Sequence, residues 1–365
     1  MESLVAPFAP PHCPRTGCRY HTCTEGWRWI HFGSYRRQCV PQVVARFRCC
    51  HCGATFSTQT FRNDYWLRRP ELLLAIAHRL LACSGYRQVA REARCAPSTV
   101  MGLAARLGRQ ALLLLAQAPR QGPLSEPLVI DGFEGFDYSQ YHPLHLHLGV
   151  GAQSHYTYAL TLSRLRRKGR MRPGQKRRRA AIEARYGRAE PRAIELDMAA
   201  AIRIAVPTPQ ALTIRSDDHP AYPRAFRRLQ GYAIGHEGTP STEARTSDNP
   251  LFPVNLMDLQ LRHNSANHKR ETIAFSKRHQ AVLERAALLV AWRNYSKPFS
   301  ENHGGGTPAM RAGFAEGPLS LERLFTYRRF PGRIALPEPW DRYYRREIDT
   351  PGIDHPRRHQ LRLAS

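Results

Sequence analysis

The feature that most constrains this chain is a cluster of cysteines near its N-terminal end. Seven of the nine cysteines in the 365-residue sequence precede residue 53. Two close pairs, Cys13 with Cys18 and Cys49 with Cys52, are separated by strand-like residues. Four thiolates from two such pairs can surround Zn²⁺ tetrahedrally. Because no export signal is recognisable near Met1, we expect reduced thiols and metal binding rather than disulfides. We therefore predict a zinc ribbon over residues 1–66, with one structural Zn²⁺ held by these four cysteines.

The ligand set has competitors in the same segment. The first pair has four intervening residues, which is wider than the usual two of a zinc knuckle. Rival ligands lie nearby in the sequence, namely His12, Cys23, Cys39 and Cys50. A set of buried free cysteines is the alternative interpretation.

The net charge of the chain indicates its class of partner. It is formally +26 at pH 7. An excess of Lys and Arg of this size attracts polyanions and releases their counterions on binding. A basic membrane-surface protein could share this balance, but the sequence has no uninterrupted apolar run of about 18 residues. We expect double-stranded DNA as the partner, no membrane association, and a cytoplasmic, nucleoid-associated location of the bacterial type.

Residues 70–118 predict a helix-turn-helix DNA-binding domain. Within Tyr86–Leu107 the apolar residues have the spacing of two short helices packed across a tight turn. Pro97 suits the first turn of the second helix, which would enter the major groove with Ser98, Thr99 and Met101 nearest the bases. Arg94 stands in the turn where glycine is common. A plain helical hairpin is the alternative.

The region from 128 to 312 alternates strand and helix patterns after a Pro-rich linker over 119–127. Asp131 follows the apolar run Leu128–Ile130, and Asp217 ends a second run that begins at Leu212. Carboxylates at the ends of adjacent strands can converge on two Mg²⁺ or Mn²⁺ ions. The tail over 313–365 contains several prolines, and we expect it to be loosely structured.

These parts, in this order, resemble insertion-sequence transposases of the DDE type. Ser216–Tyr222 is similar to their second-acid motif, although His219 stands where Trp is usual. Leu259–Arg262 and Arg270–Ser276 resemble the stretch after their third catalytic position, and the similarity covers residues 13–312. It implies an α/β fold with an RNase H-like mixed sheet and flanking helices. It also implies a homo-oligomeric enzyme that binds element ends, cleaves them and joins them to target DNA.

The third catalytic position departs from the family pattern. The family usually has Glu, or Asn in some branches, at an offset that falls on Asn255 here. Asp258 lies one helical turn later on the same face, and Glu271 is an outside candidate. An amide can bind a metal through its carbonyl oxygen but brings no charge, so we expect activity that is reduced or absent if Asn255 is the ligand.

A basic insertion over 164–192 separates the first two acids. Ten Lys or Arg and no acid occupy residues 164–179. Gly169 and Pro173 argue against one rigid helix, so we predict a mobile arm that grips phosphates. A solvated charge run is the alternative. The predicted contacts are Arg166, Arg167, Lys168, Arg177, Arg178 and Arg179.

Two histidines could suggest a further metal site, and two functions other than transposition are compatible with the sequence. His145 and His147 share one face of a strand, and without a third ligand at clear spacing we expect core or hydrogen-bonding roles. A non-catalytic DNA-binding remnant or regulator would keep the ribbon and the helix-turn-helix without cleavage. A zinc-ribbon RNA-binding protein would not need Asp131 and Asp217.

Overall fold

The computed structural model describes residues 8–118, 123–302 and 304–353. The first part is a three-stranded antiparallel sheet in the order β1 (Trp29–Arg36), β2 (Val43–Cys49) and β3 (Thr55–Ser57). Phe47 and Phe56 pair across β2 and β3 and form a small aromatic core with Phe61. The sheet is too small to bury a large core of its own, so it depends on other contacts for stability.

Three helices follow: α1 (Leu72–Leu81), α2 (Tyr86–Glu92) and α3 (Pro97–Gln117). Four residues join α2 to α3, and Arg94 in this turn has a φ of 47°, in the left-handed region that favours glycine. Apolar residues run without interruption over 111–116 of α3, so this helix is apolar on all sides there and is buried. Among the described residues, α3 is the one helix long and apolar enough to cross a membrane, and 72% of its apolar window is buried inside the protein.

The second sheet has five strands in the order β6-β5-β4-β7-β8. These are β4 (Leu128–Phe136), β5 (Pro143–Gly151), β6 (Thr157–Arg164), β7 (Ala211–Asp217) and β8 (Ala233–Thr239). Strands β4, β5 and β6 form an antiparallel meander. Strand β7 then pairs parallel to β4, and β8 pairs parallel to β7. The result is a mixed sheet in which β4 is the central strand.

Helices connect and cover this sheet. They are α4 (Pro173–Tyr186), α5 (Ala193–Ala205), α6 (Ala221–Phe226), α7 (Phe252–Asn264) and α8 (His279–Tyr295). Helix α5 packs on β5 and β6, α7 packs on β4 and β5, and α8 packs on β6. Because both faces of β5 and β6 are covered, nearly all of their residues are buried.

The core is continuous across the boundary predicted between residues 70–118 and 128–312. Helix α3 packs along α8, and one hydrophobic cluster includes residues of α1, α3, the second sheet and α8. The two helices touch at Gly108, where a Cβ atom would lie 2.4 Å from the carbonyl oxygen of Glu284. Such an approach requires glycine. The helices after the ribbon therefore share one core with the second sheet.

The C-terminal segment differs from the loosely structured tail that its prolines suggest. Beyond α9 (Pro308–Arg311), which precedes the predicted tail, it carries two short helices, α10 (Leu321–Phe325) and α11 (Trp340–Arg345). Phe325, Trp340 and Tyr343 are buried in the main core, and Phe330 is buried in the aromatic core of the ribbon. Burial of these large side chains outweighs the tendency of proline to interrupt helices. Residues 354–365 of the predicted tail, like 119–122 of the predicted linker, lie outside the described residues.

Candidate metal centre and acidic cleft

The four cysteines predicted to bind zinc converge in the ribbon. The sulfur atoms of Cys13, Cys18, Cys49 and Cys52 all lie within 4.8 Å of one another, and the Cys13 and Cys52 sulfurs are 3.6 Å apart. No other group of three or more such ligands within residues 8–118, 123–302 and 304–353 meets this criterion. The rivals His12, Cys23, Cys39 and Cys50 are outside the cluster. The prediction of a four-cysteine group able to bind zinc is confirmed.

Two turns place these sulfurs. In the second pair, the Cys49 N–H donates to the Ala54 carbonyl at 2.9 Å, and the Gly53 N–H donates to the Cys49 carbonyl at 3.0 Å. Gly53 closes this turn with a φ of +70°, which glycine adopts without strain. In the first pair, the Cys18 N–H donates to the Arg15 carbonyl at 3.0 Å. That turn brings the sulfurs of the wider pair together.

The chemistry of this donor set fits Zn²⁺. Burial opposes ionisation of Cys49, but N–H groups of Cys52 and His51 and the indole N–H of Trp27 favour its thiolate, and together they lower its pKa to about 6. The Trp27 indole donates to the Cys49 sulfur at 3.3 Å. Zinc requires thiolate rather than thiol. Burial raises the pKa of the Cys13 and Cys18 thiols, so a bound Zn²⁺ would have to displace their protons. Four converging sulfurs, three buried and one half-buried, with an outer hydrogen bond form the arrangement of a structural zinc site.

Asp131 and Asp217 lie side by side on neighbouring strands. Val129 of β4 pairs with Arg215 of β7 in parallel register, and each aspartate lies two residues further along its strand. Side chains two residues apart share one face of a strand, so both carboxylates face the same way. Asp217 is the last residue of β7, as predicted, whereas Asp131 lies inside β4 rather than at its end. Strand β4 continues because β5 pairs with it along its full length.

A cleft of about 1220 Å³ opens beside these two aspartates. Asp258 of α7 lines the same cleft, and its Oδ1 atom is buried without a hydrogen-bond partner. Asn255, one turn earlier, and Glu271, exposed between α7 and α8, are not among the residues that line it. The structure thus brings Asp258, rather than Asn255 or Glu271, to the cleft of the first two acids.

The acids of the cleft act on one another electrostatically. Burial, followed by the negative charge of Asp217, raises the pKa of Asp131, although the Gly132 N–H opposes this shift by donating to its Oδ1 at 2.7 Å. Burial and the charge of Asp131 raise the pKa of Asp258 well above its ordinary value. In the described part of the chain the three carboxylates are not all within 4.8 Å of one another. Three carboxylates that line one cleft, one of them with an unpartnered oxygen, supply the kind of oxygen ligand that Mg²⁺ and Mn²⁺ prefer.

Other polar side chains of the cleft were not identified as site residues from the sequence. The Tyr222 hydroxyl donates to Asp131 Oδ1 at 3.3 Å. His145 lines the cleft with its Nε2 atom 3.6 Å from Glu134 Oε1, whereas His147 is fully buried and bonds Ser163 at 2.7 Å. The pairing of Glu134 with His145 could have been read from the period-two alternation of β4 and β5, because residues opposite one another across a hairpin are neighbours. Tyr222 lies on α6, and the alternation carries no signal for it.

Residues of the basic insertion line one part of the cleft. Strand β6 ends at Arg164, a loop follows, and α4 begins at Pro173. Glu183 holds Arg166 through two hydrogen bonds of 2.7 and 3.0 Å, and it lies 3.6 Å from Arg179. Ion pairing of these two arginines leaves less of their charge for a polyanion.

The other predicted contacts of the insertion have fewer internal partners. The guanidinium groups of Arg167 and Arg178 lie 5.1 and 5.2 Å from the centre of the Tyr141 ring. Lys168, Arg177 and Arg178 are exposed. These exposed cations are the ones available to a phosphate backbone.

The predicted base-reading residues occupy the exposed start of α3. Ser98, Thr99 and Met101 are exposed there, whereas Val100 between them is buried. Helix α3 begins with Pro97, whose fixed φ suits this position. The first turn of α3 is therefore accessible to a large ligand.

Comparison with known proteins gives little further information. No protein-family model and no curated protein matches the sequence. Among solved structures, a chain in the cryo-EM structure of the simian T-cell lymphotropic virus intasome in complex with PP2A regulatory subunit B56 gamma is similar at 15% identity. The similarity has a TM-score of 0.26 and covers 68% of this chain and 76% of that chain. A TM-score at this level does not define a shared fold.

Proposed function

We propose that this protein is a DNA-processing enzyme of the DDE transposase type, with an RNase H-like catalytic unit. The observation that carries the proposal is the position of Asp131 and Asp217 on adjacent parallel strands, facing the cleft that Asp258 also lines. The strand order supports it, since an antiparallel meander with two parallel strands added beside its first strand is the arrangement we associate with that fold. The ribbon and the α2–α3 pair would supply DNA contacts.

Asp131, Asp217 and Asp258 would hold the catalytic Mg²⁺ or Mn²⁺. When bound, such ions stabilise the attacking and leaving oxygens of a phosphoryl transfer. The Tyr222 hydroxyl holds one oxygen of Asp131 and so orients its carboxylate. Arg262 also lines the cleft, and its guanidinium lies 4.3 Å from the centre of the Phe133 ring. Cations on the rim, such as Lys168 and Lys269, would neutralise the phosphates that flank the scissile bond.

Asp258 replaces Asn255 in this proposal as the third ligand. An aspartate supplies the negative charge that an amide lacks, so the reduced activity expected for an Asn ligand would not apply. Homo-oligomeric assembly, element ends and target DNA as partners, and a cytoplasmic, nucleoid-associated location remain predictions from the sequence.

The test is metal-dependent cleavage and strand transfer on DNA that flanks the gene. We expect Asp131→Asn and Asp217→Asn to lose activity by at least about 10²-fold, since each removes a charge that acts directly on the metals. Glu271→Gln, an acid outside the cleft, is the matched control and should retain activity. Full activity in the two aspartate variants would reject the active site. DNA binding without cleavage by the wild-type protein in either metal would instead support a non-catalytic DNA-binding remnant.

A further inference from the structure

A cluster of arginines lies where the ribbon meets the helical core, and none of these arginines lines the acidic cleft. These arginines come from three segments: the residues after β3, the middle of α3, and the chain between α10 and α11. Together they line a small cavity of about 20 Å³. Its lining consists of Arg62, Asn63, Tyr65, Arg106, Arg109, Gln110, Arg328 and Tyr344.

The positive charge of this cavity exceeds the negative charge near it. None of the described residues that line it is a carboxylate. Asp64 pairs with Arg62 through two hydrogen bonds of 2.9 and 2.8 Å. Glu284 acts on Arg109 electrostatically, but its carboxylate lies 2.9 Å from the Arg346 guanidinium. Buried charges are normally paired, but the Nε and Nη1 atoms of Arg109 have no hydrogen-bond partner.

Two side chains place unpartnered donors in this cavity. Arg109 is 4% exposed, and its Nε and Nη1 atoms are buried without hydrogen-bond partners. Asn63 is 2% exposed, and its Nδ2 atom is likewise buried without a hydrogen-bond partner. Native structures leave few such groups unsatisfied, and those that remain need an explanation. Burial, followed by the charges of Arg109 and Arg328, lowers the pKa of Arg106 to about 10, as expected where like charges gather.

We propose that this cavity binds one small inorganic anion, chloride. A volume of about 20 Å³ accommodates one water-sized group, and chloride meets both the size and the charge. A water molecule would accept hydrogen bonds from Arg109 and Asn63 but would bring no negative charge to the Arg109 guanidinium. The near-complete burial of Arg109 keeps a DNA phosphate away.

The bound anion would fasten the ribbon to the rest of the protein. Arg106 already donates to the carbonyls of Asn63 and Tyr65 at 2.9 and 2.7 Å, which joins α3 to the chain that leaves the ribbon. An anion between Arg106, Arg109 and Arg328 would reduce the repulsion among these three segments. Chloride binding is therefore expected to stabilise the folded protein, independently of its catalytic activity.

The test is the melting temperature of the full-length, zinc-loaded protein as chloride replaces gluconate at constant ionic strength. We expect a rise of about 3 °C for each tenfold increase in chloride above saturation. Arg109→Gln should abolish this rise, whereas Arg227→Gln, at an exposed site, should keep it. If chloride has no effect on the wild type, or if sulfate replaces it at equal concentration, the assignment of chloride is wrong.

A second measurement does not depend on a variant that folds. Crystals of the wild-type protein grown in bromide should show anomalous density in this cavity, within hydrogen-bond distance of the Arg109 guanidinium. Density for a water molecule without an anomalous signal would overturn the proposal. Persistence of the chloride effect in Arg109→Gln would place the anion elsewhere and would overturn it equally.

Discussion

Substitution of Asp258 by asparagine tests whether this side chain binds a metal ion or serves only the fold. The carboxyl oxygen Oδ1 is buried without a partner, and burial together with the charge of Asp131 raises its pKa well above the ordinary value. When the folded-state pKa is raised, the unfolded chain loses its proton first. Stability therefore falls as the pH rises from the unfolded pKa towards the folded one. Around neutral pH the raised pKa of Asp258 thus leaves the metal-free fold less stable than it is below the unfolded pKa.

The expected magnitude follows from the buried negative charge. A buried polar group without a partner costs about 1–3 kcal/mol, and more when it is charged, and 1 kcal/mol corresponds to about 2–4 °C in melting temperature for a domain of 150–250 residues. Asp258→Asn keeps the shape and the unpartnered oxygen but removes the charge, so its metal-free melting temperature should exceed that of the wild type by about 2–12 °C. Adding Mn²⁺ at a hundred times its dissociation constant should stabilise the wild type by about 2.7 kcal/mol. The variant should gain much less.

The assay is a thermal melt with and without metal, with zinc content verified in every sample. Asn255→Ala is the matched control, since it lies on the same helix one turn away and should retain the metal-induced shift. Equal metal-induced shifts in the wild type and Asp258→Asn would show that Asp258 is not a ligand. Loss of the shift in Asn255→Ala, with retention in Asp258→Asn, would return the third position to Asn255.

Three further predictions concern the ribbon, the helix contact and the basic rim. Cys49→Ser should lower the zinc content measured by mass spectrometry from about one atom per chain towards none, because three thiolates leave a structural site incomplete. Gly108→Ala should destabilise the protein by about 1–3 kcal/mol in urea unfolding, because its Cβ meets backbone that cannot move aside. Gly102→Ala, with open space around it, should be neutral or stabilising. Replacing Lys168 and Arg177 with glutamine should reduce the slope of log affinity for duplex DNA against log salt by about 1.8, and an unchanged slope would exclude phosphate contacts there.

The four-cysteine group able to bind zinc was predictable because its constraint is local. Two short cysteine pairs can converge through their own turns, and Gly53 in the second turn marks the position that needs a left-handed residue. The side-by-side placement of Asp131 and Asp217 followed from a similarly simple rule, that strands in parallel register carry equivalent residues to the same edge. In both cases the residues are positioned by the element on which they lie.

The contacts between distant segments could not be predicted from local sequence patterns. The sequence could not decide between Asn255 and Asp258, because residues one turn apart share a helix face. The choice depends on how α7 is rotated against β4. Burial of Phe330 in the ribbon and Trp340 in the main core depends on surfaces formed by residues more than a hundred positions away. Prolines near these aromatics suggested loose structure, because local patterns do not record what a side chain packs against.

The two attachments of the helical core differ in their physical character. Helix α3 meets α8 through apolar side chains and a backbone contact at Gly108 that leaves no space for adjustment. The ribbon meets the core through arginines, the unpartnered donors of Asn63 and Arg109, and the aromatic side chain of Phe330. If the start of α3 reads DNA as proposed, that reading surface and the acidic cleft must move as one body. The ribbon, by contrast, meets the core through charged groups, and the proposed anion would make the strength of that contact depend on the ions present.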